Sequence, residues 1–220
     1  MVEISTSLLS ANKDKIVETI YDLEMAKTDY FHIDVMDGEF VKNKTHDLML
    51  EYSEYLNHVT KVPIDVHLMV KDIKNYIDSY KIFNPNIITF HIEACKDKEE
   101  VIDIIKYAKD KVRRVGIAIN PETEVEKIYD FLPYIHLVLV MTVKPGKGGQ
   151  KLIPETINKV RNLYEYRESN NLNYDIEADG GINVENSKKL ITSGVDIIVS
   201  GSEIIKSKDY SETIKKLRQN

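Results

Sequence analysis

The sequence is poor in cysteine, since Cys95 is the only one in 220 residues. One thiol cannot form a disulfide within the chain, and a chain of this length without such a crosslink is typical of a reducing compartment. We therefore expect a cytoplasmic protein.

Signals for export or membrane insertion are also missing. The first ten residues, "MVEISTSLLS", carry the acidic Glu3 and have neither a basic start nor a long apolar core. They do not match a secretory signal peptide. No stretch approaches the ~18 consecutive apolar residues of a membrane span. We expect no membrane association.

Excess positive charge is absent. Acidic residues number 36 and basic residues 30, which gives a formal charge of −6. The long-range field should repel nucleic acid and anionic membranes, so an anionic ligand must be captured locally. The segment "KPGKGGQ" lacks the ending of a P-loop, and no dinucleotide-binding glycine motif follows the first apolar run. We expect neither nucleic acid nor a nucleotide as ligand.

No Pro/Gly/Ser-rich linker, low-complexity tract or block of like charge divides the chain. This length suits one domain that buries most of its surface. We predict a single domain over residues 1–220.

Short β-branched runs alternate with segments of helical spacing. Such helical spacing occurs, for example, at residues 13–26, 99–112 and 155–168. Alternation of this kind favours βαβ units, and eight units at this length predict an α/β protein with a (β/α)₈ TIM barrel. A doubly wound open sheet is the alternative. The eight runs begin near residues 3, 30, 63, 86, 114, 136, 174 and 196.

Polar residues interrupt three of these runs with a period of two. Side chains alternate between the faces of a strand, so in residues 31–36 one face carries His32, Asp34 and Met36. The same test groups Asp65 with His67 and Met69, and Glu177 with Asp179. In a barrel these faces would point inward.

Ionised groups inside a protein need a partner, and a divalent metal ion could serve several at once. We predict one metal ion held by His32, Asp34, His67 and Asp179. Two imidazoles and two carboxylates suit Zn²⁺, Fe²⁺, Mn²⁺ or Co²⁺ alike. For each residue the alternative is ordinary: a satisfied core histidine, or an aspartate that caps a helix or forms a turn.

Other polar residues and methionines lie close in sequence to the predicted ligands, and their roles are interpreted separately. Asp37 precedes Gly38 and is interpreted as a turn former. Asp65 and Glu177 either support a ligand imidazole or form simple buried hydrogen bonds. The inward Met36, Met69 and Met141 either fill the core or line an electron-rich intermediate.

Glycine-rich loops follow the sixth, seventh and eighth runs, at residues 144–150, 179–183 and 200–203. Glycines let backbone N–H groups approach a phosphate, and barrels often bind phosphate in loops after strands seven and eight. The alternative for each loop is a tight turn. Together they predict a phosphorylated metabolite as ligand.

Seven ordered motifs resemble the ribulose-phosphate 3-epimerase family. The resemblance covers nearly the whole chain. It implies a (β/α)₈ barrel, an isomerase of the pentose phosphate pathway, and interconversion of D-ribulose 5-phosphate and D-xylulose 5-phosphate. We also expect a homo-oligomer. The motifs are "SLLSA" (7–11), "HIDVMDGEFV" (32–41), "DVHLMV" (65–70), "HIEA" (91–94), "MTVKPGKGGQ" (141–150), "EADGGIN" (177–183) and "SGSEI" (200–204).

By motif, the resemblance implies the same four metal ligands and places Ser7 near the substrate oxygens, although that hydroxyl could instead bond the backbone. It implies that Asp34 and Asp179 exchange protons with C3 through an enediolate whose charge the metal stabilises. The expected substrate contacts are Ser7, Met36, His67, Met69, Met141, Gly146, Lys147, Gly148, Gly149, Gly180, Gly181, Gly201 and Ser202.

The chain departs from the family at the phosphate loop, where Lys147 replaces an aromatic residue. The cation could pair with phosphate or lie in solvent. Residues 29–34 and "MTV" (141–143) resemble a sister family that acts on D-allulose 6-phosphate. Epimerisation of that hexose phosphate is therefore an alternative function. A lyase on a related barrel would require an inward lysine, and the metal strands contain none. A non-catalytic sugar-phosphate-binding barrel is a further alternative.

Overall fold

The computed structural model describes residues 1–219, in which eight parallel strands close into a barrel. Each strand pairs with the next along the chain, and β8 pairs with β1. This closure confirms the predicted (β/α)₈ barrel and excludes the open doubly wound sheet. The strands are β1 Glu3–Ser7, β2 Tyr30–Met36, β3 Ile64–Met69, β4 Ile87–His91, β5 Arg114–Ile119, β6 Leu137–Met141, β7 Asp175–Asp179 and β8 Ile197–Ser200.

Helices cover the outside of the barrel, and all three segments cited for helical spacing contain one. The connection between β5 and β6 is instead a 3-10 run, Val125–Tyr134, with Pro133 inside it. Proline lacks the N–H that an α-helix would use at that position, so no regular α-helix continues through Pro133. The α-helices are α1 Ile16–Met25, α2 His46–Val59, α3 Ile73–Tyr80, α4 Lys98–Lys109, α5 Thr156–Ser169, α6 Ser187–Thr192, α7 Ser202–Ile205 and α8 Tyr210–Gln219.

The period-two pattern divides the strand side chains between two regions. Ile33 and Val35 of β2 pack outward, in the apolar layer between the sheet and the helices. A smaller cluster inside the barrel includes Leu137, Leu139 and Met141 of β6. This division leaves the alternate positions of β2, β3 and β7 for polar side chains.

Strand register aligns those polar positions across the sheet. Asp34 of β2 lies opposite His67 of β3, and two residues deeper His32 lies opposite Asp65. Because all strands are parallel, their carboxyl ends meet at one end of the barrel. The polar side chains therefore converge there.

Membrane-spanning helices were sought among residues 1–219. None of the helices there has both the length and the apolar composition that a crossing needs.

Candidate active site

Four side chains from three strands meet near the carboxyl end of the barrel. They are the predicted ligands His32 and Asp34 of β2, His67 of β3 and Asp179 of β7. One ligand atom from each lies within 4.8 Å of all the others. The structure thus brings together the set selected from the sequence.

The separations of these atoms fit a single cation between them. His32 Nε2 and His67 Nδ1 each lie 3.4 Å from Asp34 Oδ1. Asp179 Oδ2 lies 3.6 Å from His67 Nδ1 and 4.0 Å from His32 Nε2. Tetrahedral ligands at about 2.1 Å from a metal ion stand about 3.4 Å apart. The arrangement is therefore of the right size.

Both inward-facing imidazole nitrogens are buried and have no hydrogen-bond partner among residues 1–219. A buried polar atom without a partner is costly, and a metal ion would satisfy both nitrogens at once. The residues present therefore fit a divalent ion of the class that binds nitrogen and oxygen together.

The hydrogen bond made by Nδ1 of His32 explains why Nε2 of the same ring is bare, that is, carries no proton. His32 Nδ1 lies 2.6 Å from Asp65 Oδ2, and Ser5 Oγ donates to the same oxygen at 3.0 Å. A carboxylate accepts hydrogen bonds, so the imidazole proton belongs on Nδ1. Asp65 thereby holds the ring of a candidate ligand, the first of the two interpretations offered for it.

Glu177 lies below this pair and is fully buried. Its carboxyl oxygen comes within 4.8 Å of ligand atoms of His32 and Asp65. Burial, and next the charge of Asp65, raise the pKa of Glu177 well above its usual range. A neutral Glu177 adds no further negative charge to the floor of the site.

The two candidate acid/base residues differ in protonation in the metal-free protein. Burial opposes ionisation of Asp34, but the neighbouring His32 and then His67 lower its pKa. Burial, followed by the charge of Asp34, raises the pKa of Asp179 to about 7. Asp34 is thus ionised near neutral pH, whereas Asp179 takes up a proton as the pH falls through about 7.

Ser7 ends β1 beside this pair. Its hydroxyl donates to Asp34 Oδ2 at 2.7 Å, while its oxygen accepts from the backbone N–H of Leu9 at 3.3 Å. Asp34 therefore turns Oδ1 toward the histidines and Oδ2 toward Ser7. The serine hydroxyl fixes the rotamer of that carboxylate.

A cleft opens above the cluster, and its lining includes nearly all of the predicted contacts. His32 and His67 lie buried beneath it. The expected residues on its wall are Ser7, Asp34, Met36, Met69, Met141, Gly146, Lys147, Gly148, Gly149, Asp179, Gly180, Gly181, Gly201 and Ser202.

Gly181, the second glycine after β7, occupies a backbone position that has no room for a side chain. Gly181 has φ +66°, and a Cβ there would lie 2.4 Å from the backbone N of Leu152. A side chain would therefore clash with the loop that follows β6. The two glycine loops pack closely here and bring their backbones to one side of the cleft.

Hydrogen bonds shape the loop after β6. Gln150 Nε2 donates to the carbonyl oxygens of Lys144 and Lys147, both at 2.7 Å. Asn43, from the loop after β2, donates to Gly146 O at 2.7 Å. The Lys147 side chain is exposed and has no ion pair within residues 1–219. A contact between Lys147 and phosphate stays a prediction.

Asp37 takes no part in the cluster. Its Oδ1 accepts from the backbone N–H groups of Glu39 and Phe40, and its Oδ2 accepts from that of Lys71. These bonds are those of a turn former, as expected, and they also join the loops after β2 and β3.

Sequence reasoning missed His91, at the end of β4. Its Nε2 lies 2.8 Å from His67 Nε2, and the two rings stack with centroids 5.0 Å apart. The same parity test would have found it, because Thr89 and His91 occupy alternate positions of β4. Gln150 was also missed as a residue that shapes the loop after β6.

Together, fold and cluster define a (β/α)₈-barrel protein with a candidate metal centre beside glycine loops suited to phosphate. A family model described as the Ribulose-phosphate 3 epimerase family matches residues 3–205. The chain belongs to the ribulose-phosphate 3-epimerase family. This confirms the resemblance and, with it, the expected class of enzyme, an isomerase of the epimerase type.

Curated relatives match over almost their whole length. The chain is 38% identical over 216 residues to the ribulose-phosphate 3-epimerase of Buchnera aphidicola subsp. Baizongia pistaciae, covering 98% of this chain and 93% of the relative. It is 34% identical over 219 residues to that of Bacillus subtilis, covering 99% of each.

Solved structures with the same fold are more distant in sequence. KGPDC from Streptococcus mutans superposes with a TM-score of 0.71 at 12% identity, covering 99% of this chain and 96% of that one. The 3-hexulose-6-phosphate synthase of Salmonella typhimurium gives 0.70 at 15% identity, covering 99% and 97%. These similarities concern the fold alone.

Proposed function

We propose that this protein interconverts D-ribulose 5-phosphate and D-xylulose 5-phosphate by inverting the configuration at C3. The observation that carries the proposal is the cluster of His32, Asp34, His67 and Asp179 at the floor of a cleft walled by glycine loops. The names and near-complete coverage of the curated relatives support the same activity.

The metal centre would consist of His32, Asp34, His67 and Asp179 around one divalent ion. Bound there, the ion would act as a Lewis acid that polarises the substrate carbonyl and stabilises developing negative charge. Zn²⁺, Fe²⁺, Mn²⁺ and Co²⁺ all accept this donor set.

Asp34 and Asp179 would act as the acid/base pair. One carboxylate removes the C3 proton and leaves an enediolate, while the other carboxyl group delivers a proton to the opposite face. At the end the first residue is protonated and the second ionised, and the reverse reaction exchanges their roles.

The remaining cleft residues would position the substrate. Backbone N–H groups at Gly146, Gly148, Gly149, Gly180, Gly181 and Gly201, with Ser202, would bind the phosphate. Ser7 would orient Asp34 and approach the substrate oxygens. Met36, Met69 and Met141 would line the path of the reacting carbons with polarizable, apolar surface. Anchoring the remote phosphate lets its binding energy hold C3 between the two acids.

We further propose one domain over residues 1–220, a cytoplasmic location and a homo-oligomer. The pairing of β1 with β8 supports the single domain, since the first and last strands join one sheet; residue 220 lies outside the described residues. Burial raises the pKa of the Cys95 thiol to about 12, which suits a cysteine without a redox role. Val17, Tyr21 and Met25 are exposed at intervals of four on α1, a candidate contact between subunits.

The test is a rate comparison after metal removal and reconstitution. The chelated protein should lose epimerisation of ribulose 5-phosphate and regain it with at least one of the four ions. Rates with allulose 6-phosphate, measured side by side, should be lower. A faster hexose reaction would reassign the substrate, and activity that survives complete chelation would remove the metal from the proposal.

A further inference from the structure

His91 and Glu93 form a hydrogen-bonded chain that ends on the candidate ligand His67. His91 Nε2 lies 2.8 Å from His67 Nε2, and His91 Nδ1 lies 3.1 Å from Glu93 Oε2. The ring of His91 is fully buried. Neither His91 nor Glu93 belongs to the lining of the cleft. This chain of hydrogen bonds therefore reaches His67 from the side away from the cleft.

The far end of this chain is fixed by the loop after β5. Glu93 Oε1 accepts from the backbone N–H of Asn120 at 2.7 Å and also from the hydroxyl of Thr123. Lys159 of α5 donates to the carbonyl oxygens of both loop residues. Because Oε1 is used by these donors, Oε2 is the oxygen left for His91.

The donors and acceptors along the chain have only one consistent order. A carboxylate only accepts, so His91 Nδ1 must donate to Glu93. A neutral imidazole that donates from one nitrogen accepts at the other, so His91 Nε2 accepts from His67 Nε2–H. A second proton on His91 would place a cation in a fully buried ring beside a cation site, which is costly.

The order determines which nitrogen of His67 is bare. Since Nε2 carries the proton, Nδ1 has only its lone pair. That atom is the one without a hydrogen-bond partner among residues 1–219, 3.4 Å from Asp34 Oδ1 and 3.6 Å from Asp179 Oδ2.

We propose that Glu93, acting through His91, fixes the tautomer of His67 so that Nδ1 is available as a metal ligand. Both are positioning residues, and the inference rests on the metal centre of the proposed function. The arrangement parallels that of His32, whose Nδ1 proton goes directly to Asp65. Each candidate ligand histidine is thus connected to a carboxylate by hydrogen bonds. His32 bonds Asp65 directly, and His67 reaches Glu93 through His91.

Glu93→Gln tests the proposal because it should reverse the donor and acceptor of each hydrogen bond between residue 93, His91 and His67. The new amide has one oxygen, and two donors from Asn120 and Thr123 compete for it against one from His91. The amide NH₂ therefore faces His91 and donates to Nδ1. His91 must then donate from Nε2, and the proton of His67 moves to Nδ1, where it blocks the metal.

Two measurements follow the inversion. In ¹⁵N-histidine spectra of the metal-free protein, the His67 proton should lie on Nε2 in the parent and on Nδ1 in Glu93→Gln. Co²⁺ affinity, measured by competition with a chelator, should fall by roughly 10–100-fold. Glu126→Gln removes one charge from an exposed position of the 3-10 run and should change neither.

Variants of His91 separate this role from a purely structural one. His91→Phe removes the relay, so adding Glu93→Gln to it should cause little further loss of Co²⁺ affinity. His91→Gln can accept from His67 and donate to Glu93, so it should retain more affinity than His91→Phe and provides a folded test if Glu93→Gln is unstable. Persistence of the full Glu93→Gln loss in the His91→Phe background would overturn the relay.

An unchanged His67 tautomer in Glu93→Gln would also overturn it. That failure differs from failure of the proposed function, because the parent would still epimerise ribulose 5-phosphate and lose this activity on chelation. A parent protein that binds no Co²⁺ would instead overturn the metal centre itself.

Discussion

His32 Nδ1 lies 2.6 Å from Asp65 Oδ2, with both side chains fully buried. Asp65 lies directly opposite His32 in the register of β2 and β3. The Nδ1 proton goes to this carboxylate, which leaves Nε2 bare toward Asp34 and Asp179. A residue at the deeper level of β3 thus determines what a candidate ligand in β2 offers a metal ion.

Asp65→Asn should weaken metal binding while leaving the ligands in place. The amide oxygen is a weaker acceptor than the carboxylate oxygen that Ser5 and His32 share, so it holds the His32 proton on Nδ1 less firmly. Losing such a supporting carboxylate typically lowers affinity about 10–100-fold. Chelator competition with Co²⁺ measures this. Asp103→Asn, an exposed change on α4, is the matched control, and equal affinities would contradict the role of Asp65.

Asp179→Asn should abolish net epimerisation at saturating metal. General acid/base groups contribute about 10²–10⁴-fold, and an amide cannot carry the proton to or from C3. Wash-in of solvent deuterium at C3, followed by NMR, should stop from at least one epimer. Asp110→Asn, at an exposed position, should behave like the parent. Full exchange from both epimers would exclude Asp179 as an acid or base.

Metal affinity should rise with pH through neutrality. Below about 7 Asp179 holds a proton in the metal-free protein, and the metal must displace it. Calorimetry in buffers of different ionisation enthalpy counts this proton. Asp179→Asn should release fewer protons, and a pH-independent affinity would contradict the assignment.

Gly181→Ala should destabilise the protein more than Gly149→Ala. Both glycines have positive φ, which costs a side chain about 1–3 kcal/mol. At Gly181 the new Cβ would also meet the backbone of Leu152, whereas nothing lies within 4 Å of it at Gly149. Urea unfolding of the two variants provides the comparison. A loss as small as that of Gly149→Ala would show that the loops move apart easily.

The strands and the inward parity of the polar residues could be predicted from sequence. Alternation with a period of two is local, so His32 and Asp34 separate from Ile33 and Val35 without knowledge of the partner strands. The long alternation of strand and helix, together with the family motifs, was enough for the barrel. The 3-10 run between β5 and β6, which contains Pro133, was not predicted from any helical period in the sequence.

Other features depend on contacts between distant parts of the chain. Asp65 and Glu177 shared the same two interpretations at the sequence level, but Asp65 is the one that bonds the His32 ring, because strand register places it opposite. The parity test alone would have placed His91 inside the barrel, but its contact with His67 on the neighbouring strand appears only in the structure.

By itself, the sequence determined which residues occupy strands, which face inward and which family the chain resembles, because these depend on local periodicity and ordered motifs. Only the tertiary structure decided which nitrogen of each histidine is bare, and how Glu93 connects to His67 through His91. Proton positions follow from hydrogen bonds between strands, and those bonds exist only after the barrel closes and sets the register.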